Sequence, residues 1–572
     1  MLSVFERISS NKAKVGGALI VLGISGGLGH DAAAGLVIDG EVVACAEEER
    51  FVRRKHAYGL TPANAAMYCL DYAGITMADI DCLAVSWDPR HRHPDWPTTL
   101  HERLLGHPFF AGSPRPAVQV VGHARAHAAA AFSCSGFTDA AVLTVDGQGD
   151  AVSTTLGRGS GTELTADASF GIRDSLGFFY LALTNYLGFE LGEEGKVMGL
   201  ASYTTPTSTP NPFELTGDGY RSPLDVAAAD SDHDTYRAVV GGWKQWFTDR
   251  FGPPAIPTYR VDPIRGRARV DLTLAPHHYE AAAAGQAELE RVLLHLVELA
   301  VAGTGVRDLV IGGGVGLNCT ANGVVERSGL VDRLYVFPAS GDAGTGLGAA
   351  LAVAAENGER PKAAIETAAF GPEFADADIA ALLHELDLPS CEATDVAADT
   401  AALLDRGMVV GWVQGRMEIG PRALGNRSIL ALPRERRVHT AVNNIKGREQ
   451  WRPLAPSILA ADADRYVTAA GRAPFMLTAC QVTDRAREEV PAVVHVDGSC
   501  RPQLVREETN ACYAGLLDAV TAATGTPVVL NTSFNQAGEP LVCGPHDAIR
   551  SFFASGLDAL VMGNSIVTKR PT

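Results

Sequence analysis

His123 and His127 stand four residues apart in the alanine-rich segment His-Ala-Arg-Ala-His. On a helix that spacing puts both imidazoles on one face, where they can grip one ion. A zinc protease would need Glu directly after the first His. Ala124 stands there, so the pair brings no general base of its own. Further ligands must come from elsewhere, and two carboxylates qualify: Asp146 in Val-Asp-Gly-Gln-Gly and Asp342 in Ser-Gly-Asp-Ala-Gly. Both sit in glycine turns after apolar strands, where the sites of such sheets open. Two His with carboxylates suit Fe(II) or Zn(II). A chance surface pairing among the 16 His of the chain fits the spacing equally well.

A second group of candidates is built on glycine. Gly312-Gly313-Gly314-Val315-Gly316-Leu317-Asn318 follows an apolar strand, and consecutive glycines let backbone amides approach a nucleotide closely. The run lacks the Lys-Ser/Thr of a P-loop, and a tight turn would use the same residues. His30-Asp31 follows the first strand and could place an imidazole in the same cleft or merely cap a turn. Lys55, in Arg-Arg-Lys-His, reads as a solvated basic run. Late in the chain, Arg416, Arg422 and Arg427 fall in one glycine-rich segment, followed by Lys446, Arg448, Arg452, Arg501 and the turn Asn531-Thr532-Ser533-Phe534-Asn535. Cations gathered on glycine turns point to a small polyanion, which Arg forks bind bidentately. A scattered exposed basic surface is the plainer alternative.

The elements that must position these groups alternate strand and helix. Residues 18–25 read as a buried strand ending in Gly; 33–38 and 41–46 flank Asp39-Gly40, a hairpin signal. The pattern recurs at 140–147, with 152–157 and 164–169 as hairpin partners, which reads as an internal duplication. Helices are expected near 62–73, 124–132, 280–304 and 345–356, and a strand at 308–311. Residues 1–17 read as an N-terminal extension. Residues 205–265 show no clear periodicity and read as an insertion that could cover a substrate pocket. Asn357 to Lys362 is a domain boundary by composition. Beyond it, 376–388 and 396–406 are helical, and 408–414 and 528–530 are strands. The expected layout is a first α/β domain over 18–360 and a second over 370–572.

The chain has 572 residues and a net charge of −18. That balance excludes a general nucleic-acid binder, which needs a basic surface. No apolar run reaches the roughly 18–20 residues that cross a bilayer. Ten Cys with no CxxC pair exclude zinc knuckles and read as reduced thiols of a cytoplasmic protein.

Together these segments resemble the O-carbamoyltransferase family of antibiotic and nodulation-factor biosynthesis. The strings that carry the resemblance are Gly-His-Asp-Ala-Ala-Ala (29–34), Ala-Glu-Glu-Glu-Arg-Phe (46–51), His-Ala-Arg-Ala-His (123–127) and Val-Asp-Gly-Gln-Gly (145–149). Gly-Lys-Val-Met-Gly-Leu-Ala (195–201), Gly-Gly-Val-Gly-Leu-Asn (313–318), Arg416 to Ser428, Trp-Arg-Pro (451–453) and Asn531 to Asn535 extend it along nearly the whole chain. The resemblance implies an actin/hexokinase/Hsp70-like duplicated N-terminal domain and a YrdC-like α/β C-terminal domain. It implies that carbamoyl phosphate and ATP, with Mg²⁺, give carbamoyl-adenylate in the C-terminal domain. The N-terminal domain would then pass the carbamoyl group to a hydroxyl of a small natural-product acceptor. By position, His123, His127, Asp146 and Asp342 match ligands of an Fe(II)-type metal, and His30 a general base, a role that suits an imidazole because it can be neutral near pH 7. Lys55 matches a residue of the transfer site. Gly313, Gly314, Gly316 and Asn318 match a nucleotide loop. Arg422, Lys446, Arg501 and Ser533 match the carbamoyl-phosphate and ATP site. No nucleic-acid or membrane partner is expected. A kinase on the same superfamily fold is the competing reading; it predicts ADP and leaves the C-terminal domain without a task.

Overall fold

A computed structural model describes residues 17–569 apart from 27–28, 88–102, 105, 208, 227–231, 263–266, 469–470 and 472. The expected N-terminal extension therefore lies outside the described residues, save for Gly17.

The first lobe is a five-stranded sheet of β1 (Ile20–Ser25), β2 (Ala33–Ile38), β3 (Glu41–Glu47), β4 (Cys82–Val85) and β5 (Ala117–Val120), in the order β3-β2-β1-β4-β5. The second lobe repeats that order with β6 (Asp139–Gly149), β7 (Val152–Ser160), β8 (Glu163–Gly171), β9 (Asp308–Gly312) and β10 (Arg333–Val336), as β10-β9-β6-β7-β8. In each sheet the first three strands run antiparallel and the rest parallel to the first. The duplication read from recurring strand–turn signals is thus one topology used twice, as an actin/hexokinase/Hsp70-like domain requires.

Helices α1 (His123–Ser135) and α5 (Thr345–Glu356) lie between the two sheets. The first is rich in Ala and the second in Ala and Gly, which explains the alanine-rich run after His123. A Cβ on Gly348 would lie 2.0 Å from the carbonyl oxygen of Ala126, so only glycine lets these helices pack this closely. Small side chains here give up buried area per residue and gain close approach, so side chains at the α1 start reach the strand ends.

The segment read as an unpatterned insertion contains a 20-residue helix, α3 (Asp232–Phe251), packed on α2 (Leu176–Tyr186) and on α4 (Pro276–Thr304). Its anchor is an aromatic cluster: Trp243 is fully buried, 4.8 Å from Phe179 and 5.0 Å from Phe213 between ring centroids. Gly241-Gly242 and a short turn of aromatics hide its period from a sequence reading.

The C-terminal domain is α/β, on a mixed eight-stranded sheet: β11 (Cys391–Glu392), β12 (Val410–Val413), β13 (Arg427–Ala431), β14 (Ala455–Leu459), β15 (Gln503–Val505), β16 (Val528–Ser533), β17 (Ala559–Met562) and β18 (Ser565–Thr568). They lie in the order β11-β18-β17-β12-β13-β16-β14-β15. Helices α6 (Arg436–Lys446) and α7 (Ala511–Thr524) are among those that cover it. All ten cysteines are free. No helix among the described residues is long and apolar enough to cross a membrane.

Candidate active site

His123 and His127 begin α1. Gly122 offers no side-chain cap, and the Asp150 carboxylate takes that place by accepting the His123 N–H at 2.8 Å. Asp146 comes from β6 just past Val145, where the pairing with β7 shifts register. A bulge there frees the carboxylate from the ladder and turns it to the strand end. Asp342 opens the turn that leads into α5. The four meet. The Nε2 atoms of His123 and His127 are 3.0 Å apart, and each lies 3.1 Å from Oδ2 of Asp146. Oδ1 of Asp342 is 3.5 Å from the first imidazole and 3.8 Å from the second. Donor atoms about 2.1 Å from one ion and about 90° apart lie about 3.0 Å from each other, so this set has the spacing and the chemistry of a divalent cation site. Burial disfavours charge on His123, but Asp342 and Asp146 outweigh it and hold its pKa well above the usual value.

Beside it, His30 Nδ1 lies 2.8 Å from Asp31 Oδ2, and His56 Nδ1 lies 2.8 Å from Asp31 Oδ1. Burial works against the Asp31 charge, yet the two imidazole bonds hold it well below the usual carboxylate range. The Asp31 bond, with Asp342 adding to it, pushes His30 up to about 9. A cation held by Asp146 and Asp342 would offset their charge and bring that value down. Lys55 is exposed at the rim.

At the C-terminal end, Lys446 is buried and its Nζ donates to Ser533 Oγ at 3.1 Å and Asn535 Oδ1 at 2.8 Å. Ser533 ends β16, and Lys446 ends α6, so both positions are fixed by regular structure. Burial, then the nearness of Arg448 and Arg452, pulls the Lys446 pKa well below its usual value. Burial and Arg501 push Arg422 down to about 9. Arg448 is lowered by burial and by Arg452 and Arg501. Five cations thus crowd together, and Glu449 is a carboxylate among them, bridged to Lys196 at 3.0 Å. Like charges held this close form a site that an anion relieves.

The two ends are one space. A cavity of roughly 1490 Å³ is lined by His30, His123, Asp146 and Asp342 on one side and by Arg422, Lys446, Arg448, Arg501 and Ser533 on the other.

Comparison with known proteins agrees. The "Carbamoyltransferase N-terminus" family matches residues 20–93 and 109–351, and the "Carbamoyltransferase C-terminus" family matches 401–569. The chain belongs to the carbamoyltransferase family. It is 36% identical to nodulation protein NolNO of Sinorhizobium fredii, covering 96% of this chain and 83% of that one. It is 37% identical to nodulation protein NolO of Bradyrhizobium diazoefficiens, covering 79% of each. Among solved structures, T. kodakarensis HypF superposes on 59% of this chain and 48% of its own, with a TM-score of 0.32 and 13% identity.

Within this carbamoyltransferase, some expected site residues do other work. Gly313 has φ 91°, and a Cβ there would lie 2.3 Å from the Val145 carbonyl oxygen; the glycine run packs against β6 as much as it faces the cavity. Gly316 meets Ser340 in the same way. Gly314 donates to Asp146 Oδ1 at 3.2 Å and lines the cavity. Asn318 lines it too, but its side chain accepts from Ala321 N–H at 3.0 Å and donates to Gln286 at 3.0 Å.

The three-arginine segment is a correction. Only Arg422 lines the cavity. Arg416 lies over the Tyr72 ring at 3.9 Å and donates to carbonyls of Val43, Phe370 and Gly371, clamping the two domains together. Arg427 is fully buried and spends its guanidinium on carbonyls of Pro372, Gln414, Gly415, Asn426 and Cys543. Residue type and glycine context are the same for all three, so sequence could not separate them. His56 was passed over as part of a basic run; nothing local signals its bond to Asp31, 25 residues away.

Proposed function

We propose that the chain is an ATP-dependent O-carbamoyltransferase working through carbamoyl-adenylate. The observation that carries this reading is the single cavity with a cation-ligand set at one end and a crowded basic cluster at the other. In the basic cluster, Arg422, Lys446, Arg448, Arg452 and Arg501 hold the phosphates of carbamoyl phosphate and ATP, with Mg²⁺ offsetting further charge. One water is consumed, phosphate and pyrophosphate leave, and the carbamoyl oxygen ends on the α-phosphorus. Ser533 and Asn535 keep the Lys446 ammonium aimed at these groups.

The adenylate then passes within the cavity, away from bulk water, which would hydrolyse it. At the other end His30 takes the proton of an acceptor hydroxyl, while Asp31 holds the ring through Nδ1. The oxygen bonds to the carbamoyl carbon and the bond to the adenylate breaks, releasing AMP. An Fe(II) or similar divalent ion held by His123, His127, Asp146 and Asp342 would supply a Lewis acid for the departing phosphate. Gly314 offers a backbone position beside it, and Lys55 stands at the mouth. The acceptor is a hydroxyl of a natural product, as the nodulation relatives and the antibiotic branch of the family suggest.

Incubation with ATP, Mg²⁺ and carbamoyl phosphate should give AMP and pyrophosphate, each dependent on carbamoyl phosphate. ADP as the main product, formed without carbamoyl phosphate, would replace this reading with a kinase.

A further inference from the structure

Between the two ends of the cavity runs a continuous chain of bonds through buried charge. Arg50 is 4% exposed at its side chain, and Glu47 and Glu49 are each 9% exposed. Arg50 Nη2 donates to both Glu47 oxygens at 2.9 Å and to the Gly420 carbonyl at 2.8 Å. The Gly420 N–H returns a bond to Glu47 Oε1 at 2.7 Å. Gly420 is two residues from Arg422 of the basic cluster. On its other side Arg50 Nη1 lies 2.9 Å from Glu49 Oε1. Glu49 Oε2 accepts the His56 N–H at 2.6 Å, and the His56 carbonyl accepts the Asp31 N–H at 2.7 Å. Asp31 holds the His30 ring.

Two non-glycine residues on this path have left-handed backbones: Asp31 at φ 56° and His56 at φ 62°. Such conformations are disfavoured for residues with a Cβ and persist only where the surroundings over-determine them. Glu49 supplies one of the bonds that do so. Removing three charges from water is also costly, and buried ion pairs are often no more stabilising than apolar packing of the same volume. A merely adhesive contact between domains therefore has no need of this arrangement.

We propose that Arg50 is a positioning residue that couples the two sites, so that an anion in the basic cluster, acting through Pro421 and Gly420, fixes the Asp31–His30 pair in its transfer geometry. This rests on the proposed function, since it takes the basic cluster as the phosphate site. The anion draws Arg422 inward; Gly420 carries the shift to the Glu47–Arg50 fork; Glu49 and His56 pass it to Asp31. Transfer geometry is then complete only when the adenylate site is occupied.

Inorganic pyrophosphate is the probe, because it needs no acceptor. Hydrogen exchange followed by mass spectrometry on the whole chain should show peptides over residues 29–34 and 54–60 exchanging at least about threefold more slowly with saturating pyrophosphate. In Arg50→Lys, calorimetry should find pyrophosphate bound within about threefold of the wild-type affinity, with the remote protection gone. Glu49→Gln cuts the chain at its other side and should behave alike, which serves if Arg50→Lys fails to fold. Arg422→Ala should lose binding and remote protection together. Remote protection that survives in Arg50→Lys and Glu49→Gln, or in Arg422→Ala, overturns the coupling. Absence of pyrophosphate binding to the wild type would instead strike at the proposed function.

Discussion

The His123 and His127 Nε2 atoms stand 3.0 Å apart, each 3.1 Å from one oxygen of Asp146. Two imidazole nitrogens this close cannot both carry a proton without repulsion, and a shared cation satisfies both at once. Loss of one ligand should therefore separate the two half-reactions. In His127→Ala, bound metal measured by elemental analysis should fall by about 10–100-fold or more in affinity. Carbamoyl transfer should fall with it, while ATP-dependent pyrophosphate release stays within about threefold. Equal loss of both reactions would contradict the two-site assignment.

Metal binding should weaken in acid. Burial works against the charge, but Asp342 and Asp146 raise the His123 pKa well above its usual value, so this imidazole holds its proton more tightly than a free one. Binding must expel that proton, so affinity for a divalent ion should fall as pH falls, by up to about tenfold per pH unit. Titration by calorimetry in two buffers of different ionisation enthalpy checks both the slope and the released proton. A flat profile would mean that His123 enters the site already neutral.

The crowded cations predict stabilisation by anions. The Lys446 pKa is depressed in the folded chain, so the unfolded chain binds more protons there, and stability at this group rises with pH towards the ordinary lysine value. A bound polyanion reverses the repulsion. At a hundredfold its Kd, pyrophosphate should add about 2.7 kcal/mol, visible as a rise in Tm. Sodium chloride at equal ionic strength should not reproduce it, and Arg501→Ala should diminish it.

Ser533→Ala should strike adenylation. Its hydroxyl bonds both Lys446 Nζ and Asn535 Oδ1. Removal leaves the ammonium less fixed and should slow pyrophosphate release about 10-fold or more, with metal content unchanged. Unaltered pyrophosphate release would remove Ser533 from the site.

The fold was legible because its signals are local: an apolar run ending in a turn marks β1 and β6 alike, and Asp39-Gly40 marks a hairpin. The metal set was half legible. The spacing of His123 and His127 is visible on a helix, whereas their meeting with Asp146 and Asp342 depends on two lobes closing over one helix pair. Arg416, Arg422 and Arg427 show the limit most clearly. They share a segment, yet one binds a domain interface, one faces the cavity and one is buried under carbonyls; only tertiary packing assigns them. The helix at 232–251 was missed because its period is broken by paired glycines and its stability comes from Phe179 and Phe213 outside it.

The cavity wall takes residues from both halves of the chain, and this bears on how the family can diversify. Recombination that exchanged residues 401–569 for those of a relative would also replace part of the chamber in which the acceptor is met. Arg53 would then face a foreign carbonyl in place of Pro540, and the Phe370 carbonyl would lose Arg416 as its donor. The shared wall thus ties the two halves together as a matched pair.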